Sequence, residues 1–154
     1  MTDPTLTTDD QTDPDEPTEA TPEAETLHGV PVTRPRGEVV LHPSRAEYLD
    51  LVRALTEAGY LQALDVTAAD YLRHPGRTDL PRGVEPERFE LVVQMMNHAE
   101  RHRVRIRVQV PEDDTTVPSL FALHPGTEAL EREVYDLFGI TFDDHPDLTR
   151  ILMP

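Results

Sequence analysis

Residues 89–110 read FELVVQMMNHAERHRVRIRVQV. Phe89, Leu91, Val93 and Met95 alternate along the first half, and Val104, Ile106, Val108 and Val110 along the second. A period of two is the mark of a half-buried strand, so the stretch predicts two strands, each with a core face, joined by a polar turn at 98–102. The other face of the second strand carries Arg103, Arg105, Arg107 and Gln109, with Arg101 just before them. Such an arginine row has three readings: it meets an acidic surface of a partner, a nucleic-acid backbone, or cross-strand carboxylates such as Glu90. His98 and His102 are four apart, but the strand patterns on both sides place them in a solvated turn rather than on a metal-binding helix face.

Upstream, Ser44 and Glu47 make a capping box that opens a helix, Tyr48, Leu51, Val52, Leu55 and Ala58 share one face, and Gly59 closes it. Leu61 to Thr67 reads as a strand. Asp65 and Asp70 near its end suit the polar turn after a strand better than a metal pair. His74 to Pro86, broken by three prolines and two glycines, is a long loop whose His74 and Arg77 face either a partner or solvent. Residues 1–33 are expected to be an acidic tail and linker, rich in Thr, Asp, Glu and Pro with little to bury and hence disordered, and residues 34–154 to be the folded domain.

Downstream, Val117 to Phe121 suggests a short helix with proline in its first turn. Thr127 is placed to cap a helix with Glu128 and Glu131 in its first turn, where carboxylates complement the helix dipole. Leu130, Val134, Leu137 and Phe138 form its apolar stripe, Glu131, Glu133 and Asp136 lie off it, and Arg132 can pair with Asp136 four residues on. Gly139 stops the helix, Ile140 and Phe142 read as a short strand, and Asp143 to Pro146 make a turn. Alternating helices and strands predict an α+β fold: two layers, a mixed or antiparallel sheet with helices packed on one face.

Composition narrows the function. The formal charge of the 154 residues is -16. Nine carboxylates between Asp3 and Glu25 account for much of it, leaving about -7 on the rest by subtraction, which argues against nucleic acid as main partner. The absence of cysteine excludes disulfides and thiolate-held clusters within this sequence. All 14 basic residues are arginine, so there is no Schiff-base amine and no phosphate-loop lysine. No nucleophile motif or glycine-rich nucleotide loop is present, and no apolar run reaches the roughly 18 residues of a membrane span. The N-terminus lacks a signal-peptide pattern, which makes a cytoplasmic location the default. His145 with Asp143, Asp144 or Asp147 offers metal-ligand types, without a second ligand set elsewhere.

The run from Glu131 to Ile140 (EREVYDLFGI), continued by His145-Pro146-Asp147-Leu148 and Arg150-Ile151-Leu152-Met153-Pro154, resembles the C subunit of NADH-quinone oxidoreductase, which is the 30-kDa subunit of respiratory complex I. Asp65 to Tyr71, Arg88 to Val93 and Val117 to Leu120 resemble it too, in the same order, so the likeness covers roughly Val39 to Pro154. It implies a similar two-layer fold and a non-redox subunit of the hydrophilic arm, peripheral on the cytoplasmic side of a bacterial cell membrane. It also implies packing against the quinone-site subunit and adjacent iron–sulfur subunits. No cofactor, metal or catalytic residue is expected in this sequence; NADH, flavin, iron–sulfur clusters and quinone belong to other subunits of the proton-translocating complex. Glu131, Arg132, Asp136, His145 and Arg150 are the expected docking residues, with Arg103, Arg105 and Arg107 as a second contact. The family pattern continues past Pro154 into a tail along the quinone-site subunit, so a C-terminal truncation or weaker docking is expected here. The alternatives are a free-standing acidic interaction module, or the equivalent subunit of a related dehydrogenase with another electron donor.

Overall fold

Period-two burial along 89–110 organises the computed structural model, which describes residues 25–74, 77 and 79–153. Its elements in order are β1 (Thr26–Leu27), β2 (Val30–Thr33), β3 (Val39–Leu41), α1 (Arg45–Glu57), β4 (Gln62–Asp70), β5 (Phe89–Asn97), β6 (His102–Val110), β7 (Thr116–Pro118), α2 (Glu128–Phe138) and β8 (Thr141–Asp143). The expected hairpin is β5–β6, with Glu90 opposite Gln109 and Val92 opposite Arg107. A six-stranded sheet in the order β1-β2-β3-β6-β5-β4 grows from it; β3–β6 is parallel and the other pairs are antiparallel. Short parallel strands β7 and β8 form a second, two-stranded sheet.

One face of the large sheet is apolar. Leu91, Val93, Met95, Val104, Ile106 and Val108 are buried there in one cluster with Tyr48, Leu51, Val52 and Leu55 of α1 and Val134 of α2. The α+β architecture expected from the sequence is therefore the one found. The Ser44–Glu47 capping box forms: Glu47 N–H donates to Ser44 Oγ at 3.3 Å, and Ser44 N–H to Glu47 Oε2 at 2.9 Å. Hydrogen bonds from the Ser44 side chain and backbone hold the Glu47 carboxyl below its ordinary pKa.

Three local expectations are corrected. Val30–Thr33 is a sheet strand rather than part of a linker, so the domain boundary drawn at 33/34 falls inside the sheet. His28 and Gly29, both at positive φ, make the two-residue turn of a hairpin, and Val30 and Val32 point into the core. Residues 116–118 are a strand, not the start of a helix: Pro118 ends β7, and Ser119 N–H donates to Asp143 O at 2.9 Å. Strand β4 runs three residues further than expected and bulges between Ala63 and Asp65. The acidic stretch 1–24 lies outside the described residues.

Gly59 is required on two counts. Its φ of +94° belongs to the left-handed region, and a Cβ there would lie 2.8 Å from Asn97 Nδ2. That Asn97 amide donates to Ala58 O at 3.2 Å and accepts from Glu100 N–H at 3.1 Å, tying the end of α1 to the β5–β6 turn. Gly59→Ala is expected to destabilise the domain by about 1–3 kcal/mol, read as a lowered urea midpoint at unchanged slope.

His42, just after β3, is buried; its Nε2 shares a 2.9 Å hydrogen bond with Thr33 Oγ1 and its Nδ1 has no partner among the described residues. Burial, reinforced by the Arg107 cation, lowers its pKa to about 4. A histidine held neutral in the fold costs stability only once the unfolded chain is protonated and the folded one is not. Stability should therefore fall as pH drops from about 6.5 towards about 4. Thermal midpoints across that window should decline less steeply in His42→Gln.

Candidate functional site

Helix α2 and the chain after it make the most interlocked region of the molecule. Glu131, expected off the apolar stripe, is instead fully buried. Its Oε2 accepts from Ser119 Oγ at 2.6 Å, and its Oε1 from Leu120 N–H at 2.7 Å and Thr127 Oγ1 at 3.1 Å. Burial pushes this carboxyl above the ordinary range, and the three donors and nearby His145 counter it only in part. Tyr48 of α1 is also buried, its hydroxyl without a hydrogen-bond partner among the described residues. Its pKa is raised by burial first and by the Glu131 charge second. Thr127 thus serves Glu131 and His124 O rather than capping the helix, which follows a 3-10 turn at Pro125–Thr127.

The exit from α2 is as expected: Gly139, φ +72°, donates to Tyr135 O at 3.0 Å. The loop beyond β8 is pinned by His145, whose side chain is buried. Its Nε2 lies 3.1 Å from Glu128 O, and its Nδ1 accepts from Asp147 N–H at 3.1 Å, which selects the Nε2–H tautomer. Nε2 is also 3.9 Å from Glu131 Oε2. With both ring nitrogens engaged, the metal reading of His145 loses its ligand; among the described residues no three His, Cys, Asp or Glu side chains are grouped for a metal.

Arg132 and Asp136 do not form the pair expected along the helix. Each grips the returning chain. Arg132 Nε donates to Thr149 O at 2.9 Å, and its Nη2 to Thr149 Oγ1 at 2.8 Å. Asp136 Oδ2 accepts three consecutive backbone N–H groups, from Ile151 at 3.0 Å, Leu152 at 2.6 Å and Met153 at 2.8 Å. Burial opposes the Asp136 charge, but the three N–H donors and Arg150, whose Nε is 4.0 Å away, hold its pKa below the usual value. This clasp lays residues 149–153 beside α2 and leaves Leu137 (51%), Ile151 (44%), Leu152 (61%) and Met153 (53%) exposed. Leu137, expected in the core stripe, is exposed as well.

The arginine row divides. Arg107 Nε binds Glu90 Oε1 and Nη1 binds Asp79 Oδ2, both at 2.7 Å. These bonds raise its pKa although burial alone would lower it. Glu90, buried, also accepts from Gln109 at 2.6 Å and from Arg77 at 2.8 Å. Arg77, expected to face a partner or solvent, is buried beneath the long loop with its guanidinium 3.9 Å from the Tyr71 ring centroid. At this end of the sheet the cross-strand reading of the row holds. Arg105 pairs with Glu38 at 3.0 Å, and exposed Arg103 makes no ion pair or hydrogen bond among the described residues. At the turn, Tyr60 OH and His102 Nδ1 lie 2.6 Å apart, as do His98 Nε2 and Gln62 Oε1, so the histidines keep the polar-turn role.

Sequence spacing located α2, its glycine stop and the acidic and basic side chains. It missed the burial of Glu131 and Arg77 and the clasp of Asp136, because the partners are backbone groups and side chains far along the chain. Glu131→Ala is expected to cost about 2–4 kcal/mol, since the Ser119 hydroxyl and the Leu120 N–H are left as buried donors with no acceptor. Glu131→Gln, which keeps an acceptor, should cost less. Because the Glu131 pKa is raised in the fold, ionisation works against stability as pH rises through it. The gap between wild type and Glu131→Gln should therefore narrow towards neutral pH in urea titrations.

Residues 41–154 match the family described as respiratory-chain NADH dehydrogenase, 30 Kd subunit. The NADH-quinone oxidoreductase C subunit of Geobacter sulfurreducens is 37% identical over 119 residues, covering 77% of this chain and 67% of that protein. Its counterpart of the same name in Saccharopolyspora erythraea is 36% identical, with 80% and 47% covered, and that in Roseiflexus castenholzii 39%, with 77% and 64%. The chain thus spans about half to two thirds of the length of these relatives. Among solved structures, a trypsin-resistant fragment (1-134) of Nqo5 superposes with a TM-score of 0.69 at 32% identity, covering 78% of this chain and 90% of the fragment. A chain of an archaeal membrane-bound sulfane sulfur reductase shares the fold at a TM-score of 0.62 and 22% identity, with 75% and 63% covered. With the α2 motif, its exit loop and strands β4 to β6 all inside the matched span, this chain belongs to the family of the 30 kDa subunit of respiratory-chain NADH dehydrogenase.

Proposed function

We propose that the chain is a non-redox subunit in the hydrophilic arm of a proton-translocating NADH:quinone oxidoreductase. In this reading it packs against the quinone-site subunit, next to iron–sulfur subunits, on the cytoplasmic side of the cell membrane. NADH oxidation, flavin and cluster chemistry and quinone reduction take place in the other subunits. The observation that carries the reading is the clasp: Arg132 and Asp136 hold 149–153 against α2 and leave Ile151, Leu152 and Met153 exposed there, with Leu137 exposed on the helix itself. An exposed apolar group on an ordered, hydrogen-bonded backbone suits a protein interface better than solvent. Glu131 and His145 support this surface from beneath, Arg150 lies at its edge, and Arg103 with Arg105 offers the second contact. Arg107 is engaged with Glu90 and Asp79 and acts from within. No helix among the described residues is long and apolar enough to cross a membrane, in keeping with attachment through partner subunits.

The test is co-purification of the tagged full chain from gently solubilised membranes of its host. The unaltered chain should bring down a large assembly with NADH-to-quinone activity. Leu152→Glu and Asp136→Asn should each lower recovery roughly tenfold, the loss typical of truncating one interface anchor, while the melting temperature of the isolated chain moves little. Equal losses of assembly and thermal stability would make the clasp internal scaffolding. Recovery of the unaltered chain alone would favour an independent interaction module.

A further inference from the structure

Prolines interrupt the chain at 31, 43 and 111, and with Val84 they form the apolar walls of a cleft of about 530 Å³. Its sides are held in place. The Ser44–Glu47 capping box and Arg45, whose Nη1 donates to Asp114 O at 2.8 Å and to Thr116 O at 3.0 Å, fix the start of α1. Glu87 N–H donates to Gln109 Oε1 at 3.2 Å, and Glu87 O accepts from Arg77 Nη2 at 3.4 Å, which fixes the 83–87 segment. No residue of the clasp lines this cleft, nor does Arg103 or Arg105.

The charged side chains that line it are Glu47, Glu85, Glu87 and Arg45. Arg45 is engaged with Asp114 at 2.8 Å. The carboxylates of exposed Glu85 and half-buried Glu87 make no ion pair or hydrogen bond among the described residues. Of the neighbouring cations, Arg88 pairs with Glu112 and Asp70, and Arg77 and Arg107 pair with Glu90 and Asp79. Exposed Arg82, next to Gly83, offsets one charge and exposed Asp113 adds one, so the rim stays acidic. His42 also lines the cleft; it is buried, neutral above its lowered pKa of about 4, and its Nδ1 has no partner among the described residues. That nitrogen is an acceptor when Nε2–H donates to Thr33 Oγ1. Unpaired acceptors on apolar walls suit a ligand with an apolar stem, positive charge and several N–H donors.

We propose that this cleft seats an arginine or lysine side chain of a neighbouring subunit, its stem against Pro31, Pro43 and Val84 and its charged head at the Glu85 and Glu87 carboxylates. Such a side chain joins an aliphatic stem to a cation that carboxylates bind by charge-assisted hydrogen bonds. The occupant comes from another chain. Lysine is absent here, residues 1–24 contain no basic side chain, and of the 14 arginines only Arg45 lines the cleft, bound to Asp114 and Thr116. This seat presupposes that the chain is one subunit of an assembly, as proposed above, but it does not depend on the clasp.

Two readouts test it. In the first, the isotope-labelled full chain is titrated at ~0.01 M salt, where screening is weak, with N-acetylarginine methylamide or with the uncharged isostere N-acetylcitrulline methylamide. The backbone amide signals of Val84, Glu85 and Glu87 should shift with the arginine probe and stay in place with the citrulline one. Those of Asp143 and Asp144, an exposed acidic pair elsewhere, should not move with either. The Glu85→Gln/Glu87→Gln protein should lose the response. In the second, Glu85→Lys, altered at an exposed position, should lower recovery of the assembly with the tagged full chain roughly tenfold at an unchanged melting temperature, and Glu85→Gln should lower it less. Equal shifts with both probes, or equal shifts at Asp143 and Asp144, would overturn the proposal. So would undiminished recovery with Glu85→Lys when the unaltered chain brings down the assembly, a result that leaves the subunit role intact. An unaltered chain that brings down no assembly removes both. A dimer of the chain that Glu85→Lys dissociates would put a second copy in the cleft, which also overturns the proposal.

Discussion

A carboxylate without water must be given donors, and Glu131 is the place where this requirement shapes the molecule. Its side chain is fully buried, and its three donors come from the Ser119–Leu120 turn and from Thr127. Neither turn is free to move without leaving a buried charge or a buried donor unsatisfied, which costs more than an ordinary hydrogen bond gains. The turn after β7, the entry to α2 and the His145 loop are therefore set relative to one another by a single side chain. Only with that frame in place can Arg132 and Asp136, further along the same helix, meet the backbone at 149–153.

Glu90 imposes a similar condition on the other face of the sheet. It draws in Arg77, Arg107 and Gln109, and through Arg77 it holds the long 71–88 loop over one end of the strands. The two faces of the β5–β6 hairpin thus have different chemistry and different tasks. One carries apolar packing against the helices. The other carries ionic closure at one end and exposed arginine at the other.

This division separates stability from association. The residues that make the fold hard to disturb, Glu131, His145, Glu90 and Arg107, are withdrawn from solvent. The proposed association falls to exposed groups: Leu137 on the helix, and the side chains of Ile151, Leu152 and Met153, displayed by backbone bonds to Asp136 that leave those side chains unengaged. A carboxylate that binds backbone N–H groups orders a segment regardless of its side-chain identities, so the surface can be apolar without being part of the core.

Local periodicity was enough to read much of this from the sequence. The alternation in 89–110, the Ser44–Glu47 box, the stripe ending at Gly59 and the glycine stop at 139 each depend on neighbours a few residues away, and each appears in the structure. Val30–Thr33 was legible in principle, since Val30 and Val32 alternate after a His28-Gly29 turn, but Pro31 within it and Pro35 just after it masked the pattern. The motif from Glu131 to Pro154 also carried the family likeness, because spacing and residue type are properties of the chain itself. What the tertiary structure alone decided is where each charge resides. Glu131 and Arg77 are interior, Leu137 is exterior, and Asp136 binds backbone rather than Arg132. Each outcome depends on donors and acceptors delivered by segments distant in sequence, and burial is a property of that assembly, not of the residue.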